Sequence, residues 1–569
     1  MSIFFFDQSH FLGKVREVDT RKVSILVEKN EDLRKARVSQ LVVLKLPGAV
    51  EAWLIGVIEK VIKSVAINTE SDEINLDGVE EVVINTVKVT LLGSLCPGKA
   101  GMTFSRSLNQ VPDIDSECYV LKDAQLESFM NIVSQAGKLE NSFEIGKYTI
   151  DETATAYIDG NKFFQRHAAL LGSTGSGKSW TVAAILEKAA LLKSANIIVF
   201  DLHGEYKELS YAKHLRIPGP EDLGKKKKDI LFLPYWLLNA EEMQAMFIDR
   251  SEFSAHNQVM VFQDLVIAEK KEVLKKLKKD KVLAAFTVDS PVPFELNNVL
   301  QNLKELNEEM IEGSRGLKQG NFYGQFSRLL TRIRSKLSDK RYGFLYQAPK
   351  EEQQYETMSE IAAKLMDFTE YKSQIKIIDF SEVPTDILPI IVGLVARIIY
   401  QIQFWTDRDK RHPLVFVCDE AHLYLPKKEG QNPVERRAIE NFEKIAKEGR
   451  KYGVALLIVS QRPSDVSDTI LSQCNNVISL RLTNSEDQNT VKKLMPESLE
   501  SMMDTLPIMD IGEGMVVGDA VLLPSRIKIS KPKEEPISAT IDIWTEWSKE
   551  IPTPDFEKTI ENFRRQSRE

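Results

Sequence analysis

The sequence predicts an α/β protein with a small β-barrel in front and a helical insertion in its middle, and three observations predict it. From Met1 to about Leu121, short β-branched runs are divided by turns, most clearly "KVSILVEKN", "SQLVVLKLPG", "AWLIGVIEKVIKSVAI" and "VVINTVKVTLLGSL". Many short strands at close spacing imply a barrel or sandwich. From about Ala124 apolar strands alternate with helices, the pattern of a parallel sheet. Between Glu241 and Leu365 that alternation gives way to charged amphipathic runs such as "EKKEVLKKLKKDKVLAAF" and "FSRLLTRIRSKLSDKRYGFL".

Taken in order, the segments are a barrel over 1–123, a first α/β part over 124–240, a helical insertion over 241–370, a second α/β part over 371–530 and an extension over 531–569. "MSIFFFDQSHF" has no basic stretch before it and is interrupted by Asp7, so it reads as a first strand rather than a signal peptide. The polar segment Glu70 to Glu81 reads as a surface loop. "HAALLG", "ANIIVFDLHGEY", "QIKIIDF", "HPLVFVCDEAH", "GVALLIVSQR" and "NNVISLRLTN" read as buried parallel strands. "DILPIIVGLVARIIYQIQFW" comes nearest to a membrane span, but Arg397 and Gln401 break it, so a buried core helix is expected, in a soluble cytoplasmic protein with no membrane contact. After Ile529 the polar "KPKEEP" and "IPTPDF" read as extended chain before a short charged helix.

The 569 residues are 43% hydrophobic and 28% charged, an ordinary globular composition, with a net charge of −8. That balance excludes a global basic field, so any nucleic-acid contact must come from local patches or a lined channel. Cys96, Cys118, Cys418 and Cys474 lie far apart, without metal-ligand spacing, as buried thiols in a reducing compartment would.

The strongest motif is "ALLGSTGSGKSW", in which Gly172, Gly177, Lys178 and Ser179 satisfy the phosphate-loop pattern between a strand and a helix. Glycines let the backbone turn its N–H groups inward onto phosphate oxygens, and the helix N-terminus adds a favourable dipole. Gly172, Ser173, Thr174, Gly175, Ser176, Gly177, Lys178, Ser179 and Trp180 are therefore the candidate contacts to ATP. Lys178 reaches the terminal phosphates and Ser179 ligates Mg2+. In "PLVFVCDEAHLY" an apolar strand delivers Asp419 to hold that ion and Glu420 to polarise the attacking water. The bland alternative is a pair of acids capping the next helix.

Asp201 and Glu205 in "VFDLHGEY" leave a strand soon after the phosphate-loop helix, either near the nucleotide or as turn residues. Gln461 ends another strand, where its amide can touch the γ-phosphate or the water; Arg462 can do likewise or pair with an acid. Arg450 and Lys451 sit on an outward turn, as solvated cations or as a finger into a neighbouring subunit. Lys225–Lys228 and the Lys275–Lys281 run read as solvated faces, while Arg328 and Arg332 share a helix face that can grip a phosphate backbone.

Together "GSTGSGKSWTV", "VFDLHGEY", "VFVCDEAHLYLP", "EGRKYGVALLIVSQRPSDVSDTILSQCNNVISLRLTN" and "EGMVVGDAVLLPSRIKI" resemble the HerA ATPases of the HerA/FtsK superfamily, over roughly Met1 to Ser530. The resemblance implies a RecA-like P-loop NTPase core behind a barrel like that of ATP synthase subunits. It further implies a homohexamer that hydrolyses ATP at subunit interfaces and moves double-stranded DNA through its pore. Lys178 and Ser179 then take the phosphate and magnesium roles, Asp419 and Glu420 the metal and catalytic ones, Gln461 becomes the sensor and Arg450 the trans-acting arginine.

The family also implies an effector partner: a NurA-like nuclease in DNA-end resection, or a nuclease or sirtuin-like NAD hydrolase in anti-phage defence, expected on the N-terminal barrel. The C-terminal extension would brace the adjacent subunit. Two rival readings stand beside the motor: a ring scaffold that binds ATP and regulates an effector without translocating, and a coupling ATPase of the same superfamily.

Overall fold

The structure, a computed structural model, describes residues 4–46, 52–68, 80–98, 101–225, 227–314, 316–366, 374–427, 433–537, 543–550 and 555–565. Most of the segment expected to be a surface loop, 70–79, lies outside the described residues, as do Lys226 and 551–554 of the proline-rich tail.

The front of the chain closes into a barrel. Its strands are β1 (Phe11–Asp19), β2 (Lys22–Leu26), β3 (Leu41–Lys45), β4 (Trp53–Asn68), β5 (Glu80–Gly98), β6 (Gly101–Ser105) and β7 (Glu117–Val120). They run in the spatial order β2, β1, β7, β3, β4, β5, β6, and an extra pairing of β2 with β5 shuts the first six into a cylinder. Closure matters because it leaves those six strands without an open edge. Alternation along the strands turns Leu12, Val15, Val23, Ile25, Val42, Leu44, Val87 and Val89 into one interior cluster. A register shift in β4 falls between Ile55 and Gly56, where a Cβ would stand 2.4 Å from Val89 Cγ1. The strand therefore passes its tightest point at a residue without a side chain.

The expected strand at the N-terminus is displaced. Residues 4–7 are irregular, and the first strand begins at Phe11. Asp7 is the cause, because its carboxylate accepts the Ser9 N–H at 2.8 Å and the Ser9 hydroxyl at 2.6 Å. That side-chain turn competes with extended pairing.

Contacts within the chain sort it into two compact units: Met1–Lys188 with Gln461–Ser464 and Cys474–Lys533, and Ala189–Ser460 with Asp465–Gln473 and Glu534–Glu569. In the first, six strands accompany the barrel in the order Ala168–Leu171, Asn476–Leu480, Glu513–Gly518, Ser525–Ile529, Ser142–Tyr148 and Asp151–Asp159. Ala168–Leu171 and Asn476–Leu480 run parallel, and the remaining pairs are antiparallel. Within this unit Arg106 Nη1 donates to Gly518 O at 2.7 Å.

The second unit is built on five parallel strands in the order Lys213–Arg216, Gln374–Asp379, Asn196–Asp201, Leu414–Cys418 and Val454–Ser460. Asn196–Asp201 and Val454–Ser460 are buried at every position, as a sheet covered on both faces requires. Helices Leu388–Trp405 and Pro433–Glu448 pack together, with Gly393 at the closest approach: a Cβ there would lie 3.0 Å from Ala438 Cα. Leu388–Trp405 is long and apolar enough to cross a membrane, but most of it is buried inside the protein. Its Arg397 is held by Glu242 through Nε–Oε1 and Nη2–Oε2 bonds of 2.8 and 2.7 Å, and by Leu237 O at 2.8 Å.

The insertion is helical, as expected, with Ala240–Phe247, Ala255–Lys276, Leu296–Glu308 and Ser327–Ser338 as its longer members. It also contains an unforeseen hairpin, Met310–Gly313 with Gly316–Gln319, which turns through Gly316 at φ 114°. Arg332 is not available to a phosphate backbone. It donates to Phe247 O at 2.8 Å and pairs with Glu252, so the shared face with Arg328 is partly consumed by the fold.

Candidate nucleotide site

In the first unit the fully buried strand Ala168–Leu171 runs into Gly172. A Cβ at Gly172 would stand 2.6 Å from Ser176 Oγ and 2.8 Å from Leu480 Cβ, so the loop can close only over glycine. Gly175 and Gly177 take φ of 72° and 103°, conformations that L side chains rarely adopt. The loop is anchored from below by the Ser173 N–H, which donates to Arg481 O at 2.8 Å, and by Gly512, whose N–H donates to Ser176 O at 3.1 Å.

Helix Lys178–Ala190 starts where the loop ends, and Thr181 fastens that first turn by donating its N–H and hydroxyl to Gly177 O at 2.9 and 2.8 Å. Lys178 is buried, with Nζ donating to Ser173 O at 3.3 Å. A Cβ on Gly175 would meet nothing within 4 Å, and the buried Ser176 Oγ has no hydrogen-bond partner among the described residues. Thr174, at the exposed tip, donates its hydroxyl to Gln461 Oε1. Lys531 Nζ stands 5.0 Å over the Trp180 ring. Arg462 is exposed, and the turn after it is held by Ser464 N–H donating to Asp487 Oδ1 at 3.0 Å.

In the second unit the parallel strands all end on one edge, where Asp201, Asp379 and Asp419 emerge. Asp419 is buried. Burial first, then the charges of Glu420, Glu205 and Asp201, hold its pKa well above the ordinary carboxylate value. Crowded carboxylates of this kind favour a divalent cation, whose charge would offset theirs. The Asp201 carboxylate instead shapes its own loop. It accepts the N–H groups of His203, Gly204, Glu205 and Tyr206 at 3.3, 2.8, 3.1 and 3.1 Å. Glu205 joins the acidic edge electrostatically, and its carbonyl accepts Ile537 N–H at 2.8 Å.

Glu420 sits in left-handed backbone at φ 45° and ψ 44°, a strained conformation for this residue type and one that gathers at active sites. Its N–H donates to Asp419 Oδ1 at 3.0 Å. Its Oε2 lies 3.3 Å from Nδ1 of His422, and that nitrogen hydrogen-bonds Ser460 Oγ at 3.3 Å. The motifs single out neither His422 nor Ser460, although both stand inside them.

Arg450 lies on the tight turn Gly449–Tyr452, which ends at Gly453 with φ 72°. Tyr452 braces that turn against Tyr400, Phe404 and Arg411 at 5.6, 5.2 and 5.1 Å. Arg450 itself is exposed, and its guanidinium has no hydrogen-bond or ion-pair partner among the described residues. The extension begins docked on its own chain: Lys533 N–H donates to Glu187 Oε2 at 2.6 Å, and Glu534 accepts the Ser210 N–H and hydroxyl, each at 2.6 Å.

A strand, a glycine-built phosphate loop and a helix in this order define a P-loop NTPase. A family model described as "Helicase HerA, central domain" matches residues 143–399, and one described as "Helicase HerA-like C-terminal" matches 389–522. Among curated relatives, the DNA double-strand break repair helicase HerA of Pyrococcus furiosus is 25% identical over 523 residues, 85% of this chain and 83% of its own. The protein of the same name from Sulfolobus acidocaldarius is 26% identical over 406 residues, 68% of each chain. Among solved structures, VirB4 of Thermoanaerobacter pseudethanolicus covers 69% of this chain and 97% of its own at 19% identity and a TM-score of 0.45. The bacterial conjugative coupling protein TrwB covers 73% and 93% at 12% identity and a TM-score of 0.44. The chain belongs to the HerA-type ATPase family.

Proposed function

We propose that this chain hydrolyses ATP with Mg2+ and uses the energy to translocate double-stranded DNA as a homohexameric ring. The observation that carries the reading is the phosphate loop itself, open above Gly175, with an orphaned Ser176 hydroxyl and with Gln461 bonded to its tip, in a chain of the HerA family. Relatives named as DNA break-repair helicases support DNA as the track.

In this reading the loop N–H groups and Lys178 hold the phosphates, and Ser179 and Asp419 hold the cation. Among the described residues no three His, Cys, Asp or Glu side chains group as a metal site. The cation would supply charge neutralisation at the transferring phosphate. Glu420 accepts the proton of the attacking water, Gln461 orients that water, and Arg450 of a neighbouring copy stabilises the transition state. Asp201 and Glu205 contribute through the shape and charge of the acidic edge, and Arg462 and Trp180 flank the nucleotide.

The motor is proposed to serve an effector, a nuclease or a sirtuin-like NAD hydrolase, docked on the N-terminal barrel, in anti-phage defence. The repair names of the relatives favour a second reading, a resection motor paired with a NurA-like nuclease. ATP turnover of the purified chain, measured with and without linear duplex DNA beside its mass in solution, tests the motor. A hexamer stimulated by DNA and silent as Glu420→Gln is the expected result. A hexamer that ignores DNA would leave the ring scaffold.

A further inference from the structure

Parallel strands give a sheet two unlike edges. In the second unit, Asn196–Asp201, Leu414–Cys418 and Val454–Ser460 run parallel and finish on one edge. The residues just before Asn196, Leu414 and Val454 therefore lie on the opposite edge. The finishing edge is acidic, with the charges of Glu420, Glu205 and Asp201 acting on Asp419.

The starting edge is apolar and basic. Trp405, the last residue of helix Leu388–Trp405, is 78% exposed, and Leu191 and Leu192, ahead of Asn196, are 80% and 62% exposed. His412 Nε2 hydrogen-bonds Ser194 O at 2.7 Å, which ties the approach to Leu414 to the approach to Asn196. Phe404 sets its ring 5.1 Å from that of Trp405 and 5.2 Å from that of Tyr452, on the turn that carries Arg450. With Asp407 paired to Lys410 at 3.4 Å, Arg408, Arg411, Arg450 and Lys451 outnumber Asp409 and Glu448 along this edge. An exposed tryptophan among apolar and basic side chains has the composition of an interface centre.

We propose that the starting edge, centred on Trp405, docks on the acidic finishing edge of the same unit in a second copy of this chain. The two edges are opposite in charge and belong to opposite ends of one sheet, so each copy can offer one and receive the other. Such a head-to-tail contact uses two different patches and closes into a ring where its rotation allows. Arg450 shares the starting edge, so the contact carries its guanidinium toward the neighbour's carboxylates. The inference rests on the ring reading above and adds to it the faces that meet.

The experiment reads the mass of the full-length chain in solution with ATP and Mg2+ over a range of protein concentrations, beside the Tm of each variant. Trp405→Glu is expected to raise the concentration for half assembly on the order of 10-fold or more at an unchanged Tm. Trp405→Lys is expected to lose less, because the face it meets is acidic. Arg408→Glu, a charge reversal on the same edge, is expected to weaken assembly as well. Wild-type assembly in Trp405→Glu would overturn the contact, and an equal loss in Trp405→Lys and Trp405→Glu would overturn its acidic partner face. Should Trp405→Glu melt early, wild-type assembly in Arg408→Glu would overturn the contact in its place. A wild type that stays monomeric would overturn the ring reading and the contact with it. A ring that assembles through Trp405 yet shows no turnover would sink the ATPase reading and leave the contact standing.

Discussion

Thr174 at the tip of the phosphate loop donates its hydroxyl to Gln461 Oε1. The contact ties an exposed residue of the loop to a residue 287 positions away in sequence. Gln461→Ala should therefore uncouple water positioning from phosphate binding. The expected outcome is a kcat reduced on the order of 10-fold or more with ATP affinity nearly kept, read from steady-state kinetics beside nucleotide titration. An equal loss of affinity would assign Gln461 to the loop's scaffold.

Asp419 is costly to the fold at neutral pH. Its pKa is raised in the folded state, so the folded form holds a proton more tightly than the unfolded form does. Its contribution is complete at acid pH and is lost as pH rises above the ordinary carboxylate range. Asp419→Asn should stabilise the ligand-free protein at pH 7, by about 1 kcal/mol, while abolishing Mg2+-dependent turnover. Denaturant melts and ATPase assays on the same preparation check both halves.

Lys270 is fully buried, with Nζ donating to Val288 O and Ser290 O at 2.7 Å each. Burial lowers its pKa from 10.5 to about 8, partly opposed by Asp289. Between those values the unfolded chain holds the proton and the folded chain does not. This group's penalty is thus full below about pH 8 and fades as pH climbs toward 10.5. Comparing wild type with Lys270→Met by denaturant titration from pH 7.5 to 9.5 should show wild type gaining on the variant, by roughly 1.4 kcal/mol per unit at most. A flat difference would mean that the ammonium is fully solvated by its two carbonyls.

Arg450 is presented on a braced turn, its guanidinium without a hydrogen-bond or ion-pair partner among the described residues. Arg450→Ala should keep ATP binding and assembly but lose turnover on the order of 10³-fold. Rings mixed from Arg450→Ala and Lys178→Ala subunits should regain activity in proportion to interfaces that combine an intact loop with an intact arginine. Normal turnover in an assembled Arg450→Ala ring would remove the trans role.

The phosphate loop was legible because its chemistry is local: the spacing of Gly172, Gly177, Lys178 and Ser179 carries its backbone requirement with it. Buried strands were legible for a similar reason, since Asn196–Asp201 and Val454–Ser460 must be apolar throughout to lie inside a covered sheet. The first strand expected within "MSIFFFDQSHF" starts only at its last residue, Phe11, because the Asp7 side chain captures the backbone that pairing needs. The hairpin at Met310–Gln319 was masked by a sequence that alternates too weakly to stand out among helices.

Side-chain fate was the part that local pattern did not carry. Asp201 looked like a nucleotide contact and spends its carboxylate on four backbone N–H groups; Arg332 looked like a phosphate grip and is held by Glu252 and Phe247. His422 lay in plain view inside "CDEAHLY", but what it touches depends on Ser460, 38 residues later. The sequence by itself determined which segments could be strand, loop and helix, because backbone preference and apolar period are properties of neighbours along the chain. Only the tertiary structure decided that β2 meets β5 to close the barrel and which carboxylates crowd around Asp419. Those outcomes depend on pairings between residues far apart in sequence, and on burial, which no residue possesses until the others have packed around it.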